Sequence, residues 1–178
     1  TSGYPAATGI GTQHGGILVD FNAVKGGIEI IPLDNDWQKA AHVYSDEVLI
    51  SHRTDAEKGT PKFERGKSLS DYQCEMIYIS GTAAIRGEES IVTGDVLVQT
   101  EITLENIQHL IGLEEGREKL PEHSGKLELL RVYLKHEEDA KIVKEDMDKL
   151  CPDVPIVYLY ADVCREELLV EIEGIAYL

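Results

Sequence analysis

The sequence has few cysteines and no long apolar run. Its three cysteines, Cys74, Cys151 and Cys164, include no Cys-x-x-Cys pair. An odd count without such a pair argues against a disulfide framework, so the cysteine usage favours a reducing cytoplasm. No apolar run approaches the roughly 20 residues that span a bilayer, and no signal peptide is visible. We therefore expect a cytoplasmic protein without a membrane segment.

Basic residues are also scarce. The 17 Lys and Arg residues face 33 Asp and Glu residues, which gives a net charge of -16. Such a chain repels phosphate backbones unless its few cations cluster, so we expect no nucleic-acid partner. His42 and His52 lack a third ligand of matching geometry, which is a poor metal signature. We expect neither a metal nor an organic cofactor.

The 178 residues suit a single domain that can bury a real core. We divide this domain into an irregular N-terminal part, 1–60, with two strands, and a core, 61–178. The glycine-rich residues 1–16 lack the Lys and the following helix of a phosphate-binding loop, so we expect them to pack near a site. Because the chain starts at Thr1, we also expect it to be a piece of a longer protein.

The central stretch predicts a strand, a polar turn and a helix. The apolar run from Cys74 to Ile79 indicates the strand, and Ser80-Gly81-Thr82 forms the turn. Asp95 is a suitable N-cap for the following helix, and Gly112 is a suitable stop. Residues that recur with helical spacing predict its buried face: Leu97, Thr100, Leu104, Ile107 and Ile111.

The remaining pattern indicates an α+β fold. Strands are predicted over 17–21, 28–33, 127–134, 154–161 and 168–176, with a turn at 25–27 and a second helix over 138–150. Two strand-helix-strand crossovers predict a mixed β-sheet with both helices packed on one face. Another copy of the chain is the simplest cover for the other face, which predicts oligomerisation.

Two regions contain candidates for chemistry. Glu171 and Glu173 share one face of the last strand with apolar residues. They are either wet carboxylates on an edge strand or a functional pair, in which burial keeps a proton available for general acid catalysis. Arg65 belongs to a cationic stretch, 61–67, which is either a solvated surface or an arm that binds a carboxylate.

Several motifs carry a resemblance to a known family. The pattern Ile79-Ser-Gly-Thr, Gly94-Asp95, Gln99-Thr100 and Thr103-Leu-Glu-Asn-Ile resembles the YjgF-like (Rid, endoribonuclease L-PSP-like) family, as does Leu168-Leu-Val-Glu-Ile-Glu-Gly-Ile-Ala. Segments 3–11, 61–65, 80–90 and 161–165 resemble one branch, the chorismatases, which release pyruvate from chorismate. Chorismatases are about twice as long, so the resemblance is to their C-terminal portion. Glu89, in the triplet Glu88-Glu89-Ser90, replaces the His that chorismatases usually have in this run.

The resemblance implies a hydrolase that acts on a small carboxylate-bearing substrate, in a homotrimer with sites at subunit interfaces. It implies that Glu171 is the general acid, which protonates the enolpyruvyl group. Cys164 would steer the fate of the ring. The implied substrate-binding residues are Arg65, Tyr78, Ser80, Gly81, Thr82, Arg131, Cys164 and Arg165.

Two alternatives stay open. Imine-hydrolysing members of the wider family carry a substrate-binding Arg fifteen residues before the Glu, and Ile156 occupies that position here. An imine or enamine deaminase is therefore the second hypothesis, weakened by the absence of this Arg. The third is a non-catalytic trimeric module that binds a small acid.

Overall fold

The computed structural model describes residues 3–13, 15–49, 58–70, 75–112 and 125–178. The strands and helices in these residues are β1 (Glu29–Leu33), β2 (Gly66–Ser70), β3 (Glu75–Thr82), β4 (Ile85–Arg86), β5 (Glu89–Ser90), α1 (Val96–Ile111), β6 (Lys126–Leu134), α2 (Ala140–Leu150), β7 (Ile156–Tyr160) and β8 (Val170–Tyr177). Short 3-10 turns span Ala41–Val43 and Glu137–Asp139. No helix in the described ranges is long and apolar enough to cross a bilayer.

Six strands form one mixed sheet in the order β1-β2-β3-β8-β6-β7, and β4 and β5 form a separate small pair. Only β6 and β7 are parallel; the other neighbours in the sheet are antiparallel. Because β8 is antiparallel to both β3 and β6, the chain crosses from β3 through α1 to β6 in a parallel sense. The predicted α+β fold with a mixed sheet and two helices is confirmed.

Helix α1 begins and ends where the sequence predicts. The Asp95 carboxylate accepts hydrogen bonds from the backbone N–H groups of Leu97 and Val98 at the N-terminus. Gly112 ends the helix at a φ of 79°, a left-handed conformation that favours glycine. On the predicted inner face, Leu104, Ile107 and Ile111 are buried. The helix packs against β3, β8 and α2.

Strand β8 separates the apolar core from the polar face of the sheet. Val170, Ile172 and Ala176 point to the helices and are fully buried there. Since successive side chains point to opposite faces, Glu171 and Glu173 lie on the face away from the helices. The alternation that buries the core therefore places both carboxylates together on the other face.

The N-terminal half differs from the prediction. The predicted strand over 17–21 is wrong, and so is the hairpin at 25–27, because the structure has no strand there. Ile17 and Leu18 are 93% and 88% exposed, and apolar β-formers without a pairing strand do not make a sheet. β1 pairs instead with β2, where Gly66, Ser68 and Ser70 gave no β-signal.

Trp37 and Cys151 each occupy a position with a structural role. Trp37, the only tryptophan, stacks on the ring of His109 with 4.0 Å between the centroids, so it fixes the irregular segment to α1. Cys151 is buried directly after α2, in keeping with a structural role. Cys74 and His52 lie outside the described residues.

Candidate active site

Glu171 lies against Ser80-Gly81-Thr82. The predicted turn there is wrong, because these residues form the end of strand β3. Strands β3 and β8 pair with a register shift between Ile79 and Thr82, so this end of β3 is irregular where it meets the Glu171 side chain. A Cβ atom on Gly81 would overlap the Glu171 carboxyl group. Glycine is therefore required at position 81 so that the backbone can approach the carboxyl group closely.

The Glu171 residue is only 6% exposed. Burial and the nearby Glu173 carboxylate raise the pKa of Glu171, and the Arg65 cation acts in the opposite direction. The net result is a pKa of about 7. The first two effects disfavour the charged form, and Arg65 only partly offsets them. Glu171 therefore holds a proton near neutral pH, as a general acid must.

Glu173 has the opposite character. Its Oε1 atom accepts hydrogen bonds from Arg131 Nη1 at 2.8 Å and from the Tyr133 hydroxyl at 2.7 Å. Burial acts to raise the pKa of Glu173, but hydrogen bonds from Thr8, Arg131 and Tyr133 bring it below its ordinary value. The two carboxyl groups of β8 therefore differ in charge at neutral pH, a separation that is typical of acid–base sites.

Two buried arginines meet at the ring of Tyr44. The guanidinium carbons of Arg65 and Arg165 lie 5.6 and 5.4 Å from the Tyr44 ring centroid. Arg65 Nη2 donates to the Lys39 carbonyl at 2.6 Å and to the Tyr44 hydroxyl, whereas its buried Nε has no hydrogen-bond partner among the described residues. Arg165 Nη1 donates to the Glu88 carbonyl at 2.8 Å and to Ser90 Oγ at 2.9 Å.

Cys164 is a free cysteine that keeps some exposed surface and lies near Glu171 and Arg165. Desolvation and the Glu171 carboxylate raise the pKa of its thiol to about 11, while Arg165 acts in the opposite direction. The thiol therefore stays protonated at neutral pH and is a poor nucleophile.

The glycine-rich N-terminal segment crosses the end of β3. The Ala7 N–H donates to Ser80 Oγ at 3.0 Å, and the Gly81 N–H donates to Thr8 Oγ1 at 2.8 Å. Gly11 exchanges backbone hydrogen bonds with Asp162, just before Cys164. The segment therefore packs over the candidate site, as predicted.

The structure thus brings together most of the residues that the sequence singled out. Ser80 Oγ donates to the Glu64 carbonyl at 2.5 Å and Thr82 Oγ1 to the Ser80 carbonyl at 2.9 Å, so both hydroxyls help to shape the end of β3. Tyr78 pairs with Ile175 on the same face of the sheet, earlier in β3. Arg131 contacts Glu173 rather than Glu171.

Three contributors were not predicted as site residues: Thr8, Tyr44 and Tyr133. Tyr133 pairs with Glu171 across β6 and β8, a register that is visible only in the folded sheet. Tyr44 lies in an irregular segment that has no periodic signal. Thr8 belongs to the segment 3–11, which carries part of the family resemblance. That resemblance was the signal that could have identified Thr8.

A separate cavity of about 290 Å³ adjoins Arg165 and does not reach Glu171. Its remaining lining residues are Glu47, Val48, Leu49, Glu89, Ser90, Val92 and Glu167. Within the described ranges, no three His, Cys, Asp or Glu side chains are grouped so that they could hold a metal ion.

The sequence has well-matched relatives. A chorismatase from Streptomyces rapamycinicus is 35% identical over 179 residues, which is 96% of this chain and 50% of the relative. A 3-hydroxybenzoate synthase from Streptomyces hygroscopicus is 33% identical over 185 residues, 97% of this chain and 50% of the relative. No protein-family model matches the chain. The chain spans about half the length of these relatives.

Comparison with solved structures also gives a match to a chorismatase. A chorismatase crystal structure matches with a TM-score of 0.71 and 28% identity, over 97% of this chain and 50% of the other. The YjgF gene product of E. coli matches with a TM-score of 0.53 and 16% identity, over 82% of this chain and 97% of the other, which is a likeness of fold. The chain therefore has a YjgF-like fold and is related to the chorismatases over half of their length.

Proposed function

We propose that the protein containing this chain hydrolyses the enol ether of chorismate, or of a related cyclic acid, and releases pyruvate. The observation that carries the proposal is the buried Glu171 carboxyl group, which lies against Gly81 and near the Arg65 cation, and whose pKa is raised to about 7. The names of the half-matched relatives, chorismatase and 3-hydroxybenzoate synthase, support the choice of substrate.

Glu171 protonates the methylene carbon of the enolpyruvyl group in this mechanism. The carbon that bears the ether oxygen becomes an oxocarbenium ion, and water adds to it. The resulting hemiketal breaks its bond to the ring oxygen, which leaves as an alcohol after it gains a proton. The products are pyruvate and a cyclic hydroxy acid, and the proton released by the added water returns to Glu171. No electrons leave or enter the system.

Arg65 and Arg165 hold the substrate carboxylates. A guanidinium group matches a carboxylate in a two-point grip. Because the raised pKa favours the neutral form of Glu171, that form does not occupy Arg65 as an ion pair, and the Nε atom of Arg65 has no partner among the described residues. The Tyr44 ring keeps both guanidinium groups in place. The neutral Cys164 thiol lies beside the same acid and contacts the ring of the product.

We further propose that a second copy of the chain, in a trimer, covers the open face of the sheet and closes the site at the subunit interface. Val157 and Leu159 lie on that face and are 46% and 39% exposed. Apolar sheet surface of this kind is stabilised when another surface buries it. Sedimentation of the wild-type protein tests this: a trimer is expected, and a monomer at micromolar concentration refutes it.

The chemical proposal is tested with a coupled assay that measures pyruvate released from chorismate. We expect release by the wild-type protein and loss of release in Glu171→Gln, with Glu166→Gln as an exposed-carboxylate control. Ammonia from a 2-imino acid without pyruvate from chorismate would instead indicate a deaminase. Silence in both assays, from a folded trimer that still binds a small acid, would indicate a non-catalytic module.

A further inference from the structure

The proposed reaction uses Glu171 but gives no role to the polar cluster beside it. Glu173 follows Glu171 by two residues on the same strand, and therefore shares its face. Its Oε1 atom accepts hydrogen bonds from Arg131 and Tyr133 of β6, at 2.8 and 2.7 Å. Thr8 adds a third donor from the N-terminal segment.

We propose that Glu173, held ionised by Thr8, Arg131 and Tyr133, is a positioning residue that keeps Glu171 in its protonated form. Its meaning for catalysis rests on the proposed function. The physical reason is the one that operates in other paired-carboxylate sites. One ionised carboxylate makes it harder for its neighbour to lose a proton.

The groups around Glu171 favour this role for Glu173. Arg65, just before β2, is a cation that promotes ionisation of Glu171. Tyr133 on β6 and Cys164 in the loop before β8 face the same group, and burial raises the pKa of both. They are therefore uncharged near pH 7. Among these groups, Glu173 is the one whose negative charge opposes Arg65.

Three contacts keep Glu173 from taking up a proton itself. The Arg131 guanidinium group supplies an opposite charge, and Tyr133 and Thr8 supply neutral donors, all of which stabilise the ionised carboxylate. Thr8 also accepts the hydrogen bond from the Gly81 N–H at 2.8 Å. The same residue thus connects the Glu173 carboxylate to the end of β3, against which Glu171 lies.

The test is a ¹³C NMR titration of the Glu171 carboxyl group in protein labelled at its glutamate side chains, with Glu171→Gln used to assign the signal. The comparison includes wild-type protein, Glu173→Gln and two controls. Tyr133→Phe removes a hydrogen bond from the cluster and keeps the Glu173 charge. Glu128→Gln removes an exposed carboxylate from the same sheet.

We expect the Glu171 midpoint to fall by about one pH unit in Glu173→Gln, because the repelling charge is lost. It should stay near the wild-type value in both controls. An unchanged midpoint in Glu173→Gln, or an equal change in Tyr133→Phe, overturns the proposal. If Glu173→Gln does not fold, Glu173→Ala replaces it; the midpoint should fall there as well, and no fall overturns the proposal.

The pH profile of pyruvate release links this result to catalysis. A general acid works when protonated, so the rate falls as pH rises through its pKa, and a lower pKa moves this fall to lower pH. We expect Glu173→Gln to match wild type at pH 5 and to be about eightfold slower at pH 7.5. A uniform loss at every pH would indicate a merely structural role. A moved NMR midpoint without wild-type pyruvate release would refute the proposed function and leave this inference standing.

Discussion

The protonated state of Glu171 has a consequence for stability that can be measured without any substrate. Burial first, and the Glu173 charge second, raise the pKa of this carboxyl group from its ordinary 4.5 to about 7. In the unfolded chain the group regains its ordinary pKa. Between these two values the folded protein holds a proton that the unfolded chain has lost, so rising pH favours unfolding.

The magnitude follows from linkage. Each pH unit between 4.5 and 7 removes about 1.4 kcal/mol, so this group costs the folded state about 3 kcal/mol in total. The stabilisation is fully present below pH 4.5 and is lost as pH rises to 7. Glutamine at the same position has nearly the same shape and does not titrate. Glu171→Gln should therefore gain about 2.5 kcal/mol relative to wild type between pH 5 and pH 8.

Urea denaturation at pH 5 and pH 8 measures this difference in the free energy of unfolding. Other carboxylates contribute equally to both proteins, so they cancel in the comparison. Glu166→Gln, which removes an exposed carboxylate a few residues away, should differ from wild type by the same amount at both pH values. A flat difference for Glu171→Gln would show that Glu171 is ionised or solvated at neutral pH, and the general-acid mechanism would then fail.

Three further predictions follow from the site. Gly81→Ala should lower stability by about 1–3 kcal/mol in thermal unfolding, because the new Cβ overlaps the Glu171 carboxyl group, whereas Gly9→Ala meets no neighbouring atom and should not. Arg65→Lys and Arg165→Lys should each raise KM for chorismate about tenfold or more with smaller effects on kcat, because Lys lacks the two-point grip; an unchanged KM contradicts their role. Cys164 should react with iodoacetamide at pH 7.5 about 100-fold more slowly than an ordinary thiol, since its pKa is about 11; fast alkylation contradicts this.

The sequence predicts the central fold well because its signals there are local. Asp95 and Gly112 mark the ends of α1 through the chemistry of their own side chains. Alternation in 168–176 places Glu171 opposite the core, as strand geometry requires. Each of these inferences needs only neighbouring residues, so long-range packing did not alter them.

The errors arise where pairing depends on distant residues. Residues 17–21 have good β-formers and no partner strand, whereas Gly66–Ser70 has weak β-formers and is held between β1 and β3. Strand propensity describes how a side chain fits a pleated surface, and it does not supply the neighbouring strand. The described residues of the N-terminal part, 1–60, therefore contain one of the two predicted strands, β1, and its partner β2 comes from the part predicted as the core.

The candidate site also has a part that the sequence predicts and a part that depends on distant residues. The pairing of Glu171 and Glu173 on one face follows from their spacing, but the spacing does not say which of the two is protonated. That difference depends on Arg131 and Tyr133, which reach Glu173 from the neighbouring strand, and on Thr8, which is 165 positions away in the chain. Two equivalent carboxylates become an acid and a fixed charge because the sheet register brings those donors to one of them. A chorismatase-like reaction needs that asymmetry, since two ionised groups would provide no proton.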